Sequence, residues 1–245
     1  MTELKKYKMF IDGEWVESDT KKTFETLNPE NNNPWAIVPE ASAKDVDRAV
    51  EAAQKAFEGE WSKLFPKERA KYLKSIAEQL RENAEILGKI ETIDTGKLFK
   101  ETKTQANYIA EYYDYYAGLA DKVEGTVLPI DKPNMQVITT RVPIGVIAAI
   151  IPWNSQMLLT AVKLAPALAM GNTVVIKSSE LAPATLFEFA KLIEKVGIPK
   201  GVVNIVSGFG EPCGRALTSH KLVERVAFTG GPETARHVIR NSADN

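Results

Sequence analysis

The sequence predicts an α/β protein built around a doubly wound, mostly parallel β-sheet. Four short runs of apolar residues lie in the second half of the chain, at 144–151, 173–177, 202–206 and 223–228. These runs barely alternate between apolar and polar residues, which is typical of parallel strands that are buried on both faces. Helical patterns follow them at 157–170, 183–196, 211–218 and 232–241. Because a strand and a helix repeat four times, we expect right-handed crossovers that place helices on both faces of one sheet.

The amino-terminal half is predicted to be mostly helical, with β elements at its edges. Residues 9–15 alternate around a central Asp-Gly pair, which is typical of a β-hairpin. Ser42 begins a Ser-x-x-Asp cap in front of alanines at helical spacing. Two longer helical patterns follow at 66–88 and 96–118, and each ends at a glycine.

Residues 125–142 differ in character from the helices before them. They are rich in β-branched residues and are interrupted by Asp-Lys-Pro-Asn, which predicts a long hairpin. We therefore divide the chain into a helical part at 1–124, the hairpin at 125–142 and the part with the parallel sheet at 143–245.

Composition and charge exclude several classes of protein. The 245 residues include 31 basic and 32 acidic side chains, so the net charge of −1 gives no reason to expect nucleic acid or an anionic membrane. The longest apolar stretch, 144–152, is about half of what a bilayer crossing needs, and the amino terminus lacks the apolar core of a signal peptide. One cysteine excludes an internal disulfide, and two histidines disfavour a dedicated metal site. These features predict a soluble cytoplasmic protein.

Polar residues and glycines follow each predicted parallel strand. Ligands of open parallel sheets bind outside the carboxyl ends of the strands. The segments at those ends are, in chain order, Pro-Trp-Asn at 152–154, Lys-Ser-Ser-Glu at 177–180, Gly-Phe-Gly at 208–210 and Thr-Gly-Gly at 229–231. One edge of the sheet is thus expected to carry an aromatic ring, an amide, an ammonium, a carboxylate and several glycines, which favours a nucleotide site.

Each of these residues also has a purely structural interpretation. Trp153 could cover the end of the sheet, and Asn154 could cap the following helix. Lys177 and Glu180 could form a solvated ion pair. The run G-F-G-E-P-C-G is one residue off the usual dinucleotide-binding spacing, so its glycines could only shorten turns.

Longer motifs link these segments to a known family. Four of them resemble, in the same order along the chain, the NAD(P)-dependent aldehyde dehydrogenase superfamily: IIPWN, LAPALAMGNTVVIKSSELAPAT, GVVNIVSGFGEPCGRAL and VAFTGGPETARHV. Upstream segments look like the amino-terminal half of that family: FIDGEWV, ETIDTGK and NMQVITTRVPIGVI. The resemblance covers nearly the whole chain, and the branch that acts on betaine aldehyde looks similar. It implies a Rossmann-like cofactor-binding domain, with 125–142 in the family's oligomerisation element and hence a homo-oligomer.

The resemblance also implies roles for residues at the edge of the sheet. Asn154 would donate to the oxyanion of the thiohemiacetal, a type of contact that contributes several kcal/mol in other enzymes. Ile151 and Trp153 would line the cofactor cleft. Lys177 and Glu180 would bind the hydroxyls of the adenosine ribose. Because Glu180 repels a 2′-phosphate, NAD is the expected cofactor, although many relatives with this glutamate accept NADP as well.

Further roles follow from the same resemblance. Gly210 and Gly214 would let the adenine and the phosphates approach the backbone, and Gly230 and Gly231 would form the turn beside the nicotinamide. Some relatives bind a monovalent cation at the positions of three residues of this chain, Thr26, Asp94 and Leu181.

The chain departs from the family pattern near these positions. Ser155-Gln156 follow the asparagine where the family commonly has a proline at the second position, and Gly231 replaces a serine hydroxyl near the phosphates. In the family the general-base glutamate and the nucleophilic cysteine come after the equivalent of Asp244-Asn245. We expect Cys213 to be a buried residue and not a nucleophile.

The sequence is therefore expected to encode the cofactor-binding half of an aldehyde dehydrogenase, and this half is expected to be inactive alone. Its sheet is expected to lack the fifth strand, and the chain is expected to self-associate. Aldehyde would be a substrate only if a carboxyl-terminal half complements the chain. Two other functions stay open, a nucleotide-binding module without catalysis and an interaction protein without a ligand.

Overall fold

The amino-terminal segment contains more β structure than the sequence predicted. The computed structural model describes residues 4–243. Its first five strands are β1 (Lys5–Lys6), β2 (Met9–Ile11), β3 (Glu14–Val16), β4 (Thr23–Asn28) and β5 (Asn33–Pro39). Strands β2 and β3 form the predicted antiparallel hairpin, in which Asp12 and Gly13 adopt positive φ angles of 54° and 72°. Strands β1, β5 and β4 form a separate small sheet that was not predicted, because their residues show no clear alternation.

Four helices follow, and one predicted boundary among them is wrong. The helices are α1 (Ala43–Glu58), α2 (Pro66–Glu82), α3 (Ala84–Thr95) and α4 (Phe99–Leu119). The pattern at 66–88 predicted a single helix that ends at Gly88, but the chain breaks at Asn83 and Gly88 lies inside α3. A Cβ at Gly88 would lie 2.9 Å from the backbone of Lys103 in α4. This glycine therefore permits a close helix crossing, and α3 ends instead at Gly96, whose φ is 76°.

The carboxyl-terminal part contains the predicted alternation of strands and helices. The strands are β6 (Val127–Leu128), β7 (Val137–Ile138), β8 (Val146–Ile150), β9 (Thr173–Lys177), β10 (Val203–Val206) and β11 (Val223–Phe228). The helices are α5 (Gln156–Ala169), α6 (Ala184–Val196), α7 (Arg215–Thr218) and α8 (Pro232–Asn241). Within the described residues the main sheet has the order β11-β8-β9-β10-β2-β3, and its first four strands are parallel. The doubly wound α/β fold is confirmed, and the amino-terminal hairpin extends this sheet by pairing antiparallel to β10.

Alternate residues of the central strands enter two apolar layers. Ile147, Val174 and Ile205 pack in the layer that also contains residues of α2, α4, α5 and α6. Val146 and Val175 face the opposite layer, with residues of α1 and α7. Burial of both faces explains why these strands are apolar runs without alternation, as predicted.

Two predictions for the carboxyl-terminal segment are wrong in detail. Strand β11 was expected to be buried on both faces, but it exposes Glu224 and Arg225. It lies at the edge of the sheet, as expected for a sheet without a fifth strand, and pairs only with β8 among the described strands. The helix expected at 211–218 becomes α-helical only at Arg215, because Glu211 has an extended backbone with φ −118° and ψ 133°.

The hairpin at 125–142 is shorter than its sequence suggested. Strands β6 and β7 pair over two residues each, and in the described part of the chain they pair only with each other. Val127, Met135 and Ile138 are exposed on it. No helix among residues 4–243 has the length and apolar character that a membrane crossing requires. The continuation that the family resemblance places after Asp244-Asn245 lies outside the described residues.

Candidate functional site

A cleft of about 650 Å³ lies at the carboxyl ends of the parallel strands, between the main sheet and α8. It contains six of the sequence-predicted site residues: Ile151, Lys177, Glu180, Gly210, Gly214 and Gly230. The sequence did not identify several other residues of its wall: Glu211, Arg215, Thr218, Thr234, His237, Val238 and Asn241. Most of these residues come from α8 and the start of α7, whose positions depend on tertiary packing. The common edge predicted for the strand ends is therefore present and concave.

Lys177 and Glu180 form the charged end of the cleft. Lys177 ends β9 with a buried side chain, and its Nζ donates to the carbonyl of Ser178 at 3.0 Å. The same Nζ lies 3.6 Å from Oε2 of Glu180, whose side chain is partly exposed. An ammonium has three N–H donors. With one carbonyl and one carboxylate as neighbours, Lys177 keeps capacity to donate to a ligand in the cleft.

The turn before α7 brings backbone close to this ammonium. A Cβ at Gly214 would lie 3.7 Å from Cε of Lys177, and one at Gly210 would meet no atom within 4 Å. Gly208 has a φ of 153°, and a Cβ there would come 2.9 Å from Cβ of Cys213. The backbone conformation of Gly208 thus requires glycine, whereas the lack of a side chain at Gly210 leaves open space at the cleft.

Cys213 is buried, as predicted, and its environment does not activate it. Burial raises the pKa of the Cys213 thiol to about 11, and the positive charge of Lys177 opposes this effect only weakly. The thiolate is the reactive form of cysteine. We expect the native protein to leave Cys213 unmodified by iodoacetamide at pH 8 and to react fully once unfolded in guanidinium. Mass spectrometry of the alkylated protein measures this, and rapid modification of the folded chain would contradict it.

Trp153 and Asn154 lie on a short 3₁₀ turn, Trp153–Ser155, between β8 and α5. The side chain of Trp153 is 50% exposed. Asn154 is exposed and makes no side-chain cap to α5, whose N-cap residue is Ser155. Nζ of Lys97 donates to Oγ of Ser155 at 2.5 Å and so ties the turn to the segment after α3. Neither Trp153 nor Asn154 lines the cleft, but their neighbours Ile151 and Pro152 do.

The turn before α8 forms the other wall. Nζ of Lys163 donates to Oγ1 of Thr229 at 2.6 Å, and burial lowers the pKa of Lys163. A Cβ at Gly230 would lie 2.5 Å from the ring of Phe228, so this position favours glycine. Gly231 is exposed outside the cleft lining, at the N-cap of α8. The first N–H groups of a helix favour anions.

The three residues predicted for a cation do not line this cleft. Oγ1 of Thr26 donates to Oδ1 of Asp94 at 3.0 Å. Oδ2 of Asp94 accepts from the backbone N–H groups of Ala184 at 2.8 Å and Thr185 at 3.3 Å, which begin α6. Burial nevertheless raises the pKa of Asp94 to about 7. The side chain of Leu181 is exposed.

Asp94 therefore acts as a cap for α6 in this structure, and the cation remains a prediction. Among the described residues no cluster of three or more histidine, cysteine or acidic side chains could hold a metal ion.

Glu91 is a buried acid that sequence analysis did not identify. Neither of its carboxylate oxygens has a hydrogen-bond partner among the described residues. Burial raises the pKa of Glu91 to about 7, and the positive charge of Lys97 partly offsets this effect.

Comparison with known proteins identifies the family. The model of the aldehyde dehydrogenase family matches residues 15–245. The chain belongs to this family. It is 51% identical over 243 residues to (Z)-2-((N-methylformamido)methylene)-5-hydroxybutyrolactone dehydrogenase of Acinetobacter baylyi, covering 99% of this chain and 49% of that one. It is 42% identical to betaine aldehyde dehydrogenase of Bacillus subtilis, covering 97% and 49%.

A solved structure supports the same assignment. The crystal structure of betaine aldehyde dehydrogenase from Staphylococcus aureus in complex with NAD⁺ superimposes with a TM-score of 0.94 at 40% sequence identity, over 97% of this chain and 48% of that one. The chain spans about half the length of the curated relatives it matches. The predicted family and fold are thus confirmed, whereas the roles given to single residues stay predictions.

Proposed function

We propose that this chain is the cofactor-binding part of an aldehyde dehydrogenase and binds NAD in the cleft between the main sheet and α8. The observation that carries the proposal is the buried Lys177, held 3.6 Å from Glu180 at the cleft. A buried ammonium beside a partly exposed carboxylate offers a donor and an acceptor to the two hydroxyls of a ribose. NAD⁺ in the related Staphylococcus aureus structure supports the same ligand.

The remaining contacts follow the shape of the cleft. Gly210 and Gly214 would admit the adenosine and phosphates close to the backbone, while Gly230 and Gly231 would face the nicotinamide half. Ile151 lines the cleft directly. Trp153 and Asn154, on the exposed turn beside it, would reach the nicotinamide and the reacting oxygen, respectively.

We propose that aldehyde oxidation requires a second polypeptide segment. The family reaction passes through a cysteine thiolate that attacks the aldehyde before hydride moves to the nicotinamide. The single cysteine in this sequence, Cys213, is buried with a raised pKa, so it does not meet this requirement. The chain alone is expected to bind cofactor and to leave aldehyde unchanged.

The oligomeric state and the localisation are also part of the proposal. The exposed apolar hairpin of β6 and β7 supports a homo-oligomer. A single buried thiol is compatible with the cytoplasm.

Calorimetric titration tests cofactor binding. We expect saturable heat with NAD and a dissociation constant that rises roughly ten-fold or more in Lys177→Met, because a hydrogen bond to a charged group contributes about 1.5–3 kcal/mol. Lys55→Met removes an exposed charge on α1 and serves as the control. Wild-type protein that gives no heat at millimolar NAD, while folded by circular dichroism, would refute the proposal.

Complementation separates a half-enzyme from a nucleotide-binding module. Mixing the chain with the carboxyl-terminal half of the Acinetobacter baylyi relative should produce aldehyde-dependent NADH absorbance that neither part shows alone. Tight NAD binding without turnover in the mixture would favour the module.

A further inference from the structure

Another cavity, of about 360 Å³, lies where the start of α2, the end of α4 and the segment before β8 meet. Among the described residues it shares no lining residue with the cleft between the main sheet and α8. Its charged lining residues are three cations, Lys67, Arg69 and Arg141, and one carboxylate, Asp121. We call it the α2–α4 cavity, and the proposed function does not use it.

Arg69 is a half-buried cation of this cavity that has backbone carbonyls as its hydrogen-bond partners. Its Nε donates to the carbonyl of Ala169 at 3.2 Å, and its Nη1 donates to the carbonyl of Leu64 at 2.6 Å. Burial lowers the pKa of Arg69, and no acid among residues 4–243 offsets this effect. A guanidinium has five N–H donors. The two carbonyls therefore leave donors, and an unbalanced positive charge, for a ligand.

The other charged residues add to this excess of positive charge. Lys67 and Arg141 are exposed. Asp121 forms an ion pair with Lys122, whose hydrogen bond lowers the pKa of this carboxyl, and the charge of Lys67 adds a smaller effect in the same direction. Because Lys122 already balances Asp121, three cations surround the cavity without a matching anion. Charges of one sign in a concave wall attract ions of the opposite sign.

Phe65 supplies an apolar surface in the same wall. Its side chain is 74% exposed, and it lines the α2–α4 cavity together with Pro66. Ligand sites typically combine apolar and aromatic walls with a few charged groups that fix the orientation of the ligand. The exposed ring is therefore suited to the organic part of a ligand whose anionic group lies at the cations.

We propose that the α2–α4 cavity binds a phosphate dianion, either free or as the head group of a small organic phosphate. A phosphate monoester carries about 1.5–2 negative charges at pH 7, which suits a site with several cations better than a single carboxylate does. The guanidinium groups of Arg69 and Arg141 present planar pairs of donors that match two phosphate oxygens, and Lys67 contributes a point charge. This inference is independent of NAD binding.

The alternative is that the cavity has no ligand. Lys67 and Arg141 would then be solvated surface charges, and Arg69 would only satisfy the carbonyls of Leu64 and Ala169. In that case phosphate would bind the folded chain no better after either exposed cation is restored than after it is removed. Substitution of the two exposed cations therefore distinguishes the interpretations.

Calorimetric titration of the whole chain with phenyl phosphate, at pH 8 and constant ionic strength, tests the site. We expect one saturable site with a dissociation constant of about 1 mM or lower, because two charge-assisted hydrogen bonds suffice for that affinity. Lys67→Ala and Arg141→Ala should each weaken binding roughly ten-fold, the effect of one such bond. Lys71→Ala removes the same charge from an exposed position one turn further along α2, outside the cavity, and should change binding less than about two-fold. Arg69 is kept, because its carbonyl contacts also support the fold.

Titration with inorganic phosphate identifies the source of the phosphate group. If the ligand is an organic phosphate, phenyl phosphate binds more tightly than inorganic phosphate, and Phe65→Ala removes the difference. Equal dissociation constants for the two probes, both raised by Arg141→Ala, identify free phosphate as the ligand. Either result supports the site.

Two results overturn the inference. The first is wild-type protein that is folded by circular dichroism and gives no saturable heat with either probe. The second is binding that Lys67→Ala and Arg141→Ala leave unchanged, because the phosphate then lies elsewhere on the chain. Failure to bind NAD in the same preparation bears only on the proposed function.

Discussion

Asp94→Ala is expected to lower the free energy of unfolding by about 3 kcal/mol, because each buried polar group left without a partner costs about 1–3 kcal/mol. The carboxylate joins three elements: it accepts from Thr26 in β4 and from the first N–H groups of α6 at Ala184 and Thr185, while belonging to α3 itself. Alanine leaves these donors buried. Urea denaturation followed by circular dichroism measures the loss.

Two further variants control this result. Asp94→Asn keeps one acceptor oxygen and should cost about half as much. Asp114→Ala removes an exposed carboxylate from the surface pair with Arg81, and a change below about 1 kcal/mol is expected. Equal destabilisation by Asp94→Ala and Asp114→Ala would show that the buried network does not stabilise the fold.

The parallel strands and their functional ends were predictable from local sequence. Apolar runs such as 144–151 and 173–177 are too short for helices and too continuous for strands with one solvated face. Once they are parallel neighbours, the rule for ligand position at carboxyl ends brings Lys177, Glu180 and Gly230 to one cleft. The family resemblance then supplied the identity of the ligand, which spacing alone did not.

Features that depend on contacts between distant elements were not predictable. Gly88 is of a residue type that commonly ends helices, yet it lies within a helix because Lys103 of α4 packs against it. The wall formed by Thr234, His237 and Asn241 requires α8 to fold back over the strand ends. In the same way, the burial of Glu91 results from the packing around α3 and is not apparent from the sequence.

Glu91 is expected to make stability depend on pH in the opposite sense to a surface carboxylate. Burial raises its pKa from the ordinary value of 4.5 to about 7. The native state therefore binds one proton more than the unfolded state between these values, and the free energy of unfolding should fall as pH rises from 4.5 to 7. The full loss is about 3 kcal/mol, at about 1.4 kcal/mol for each unit of pKa. Urea denaturation at a series of pH values measures it.

Glu91→Gln isolates this contribution, because glutamine has no charge to bury at any of these pH values. Its unfolding free energy minus that of the wild type should be near zero at pH 4.5 and should rise to about 3 kcal/mol at pH 8. Asp94, with its own pKa raised to about 7, titrates in the same window, so the comparison is repeated in the Asp94→Asn background. Lys97 and Glu101 also act on Glu91 and are kept unchanged.

Glu85→Gln is the matched control on the same helix. Glu85 is exposed, and hydrogen bonds from Lys89 and Lys103 lower its pKa, so its variant should gain no stability as pH rises. A buried acid without a partner destabilises the protein at neutral pH, which natural sequences tolerate at positions where function requires it. If the curves of the wild type and Glu91→Gln run parallel from pH 4.5 to 8, Glu91 is solvated or paired in solution, and the burial that raises its pKa does not persist there.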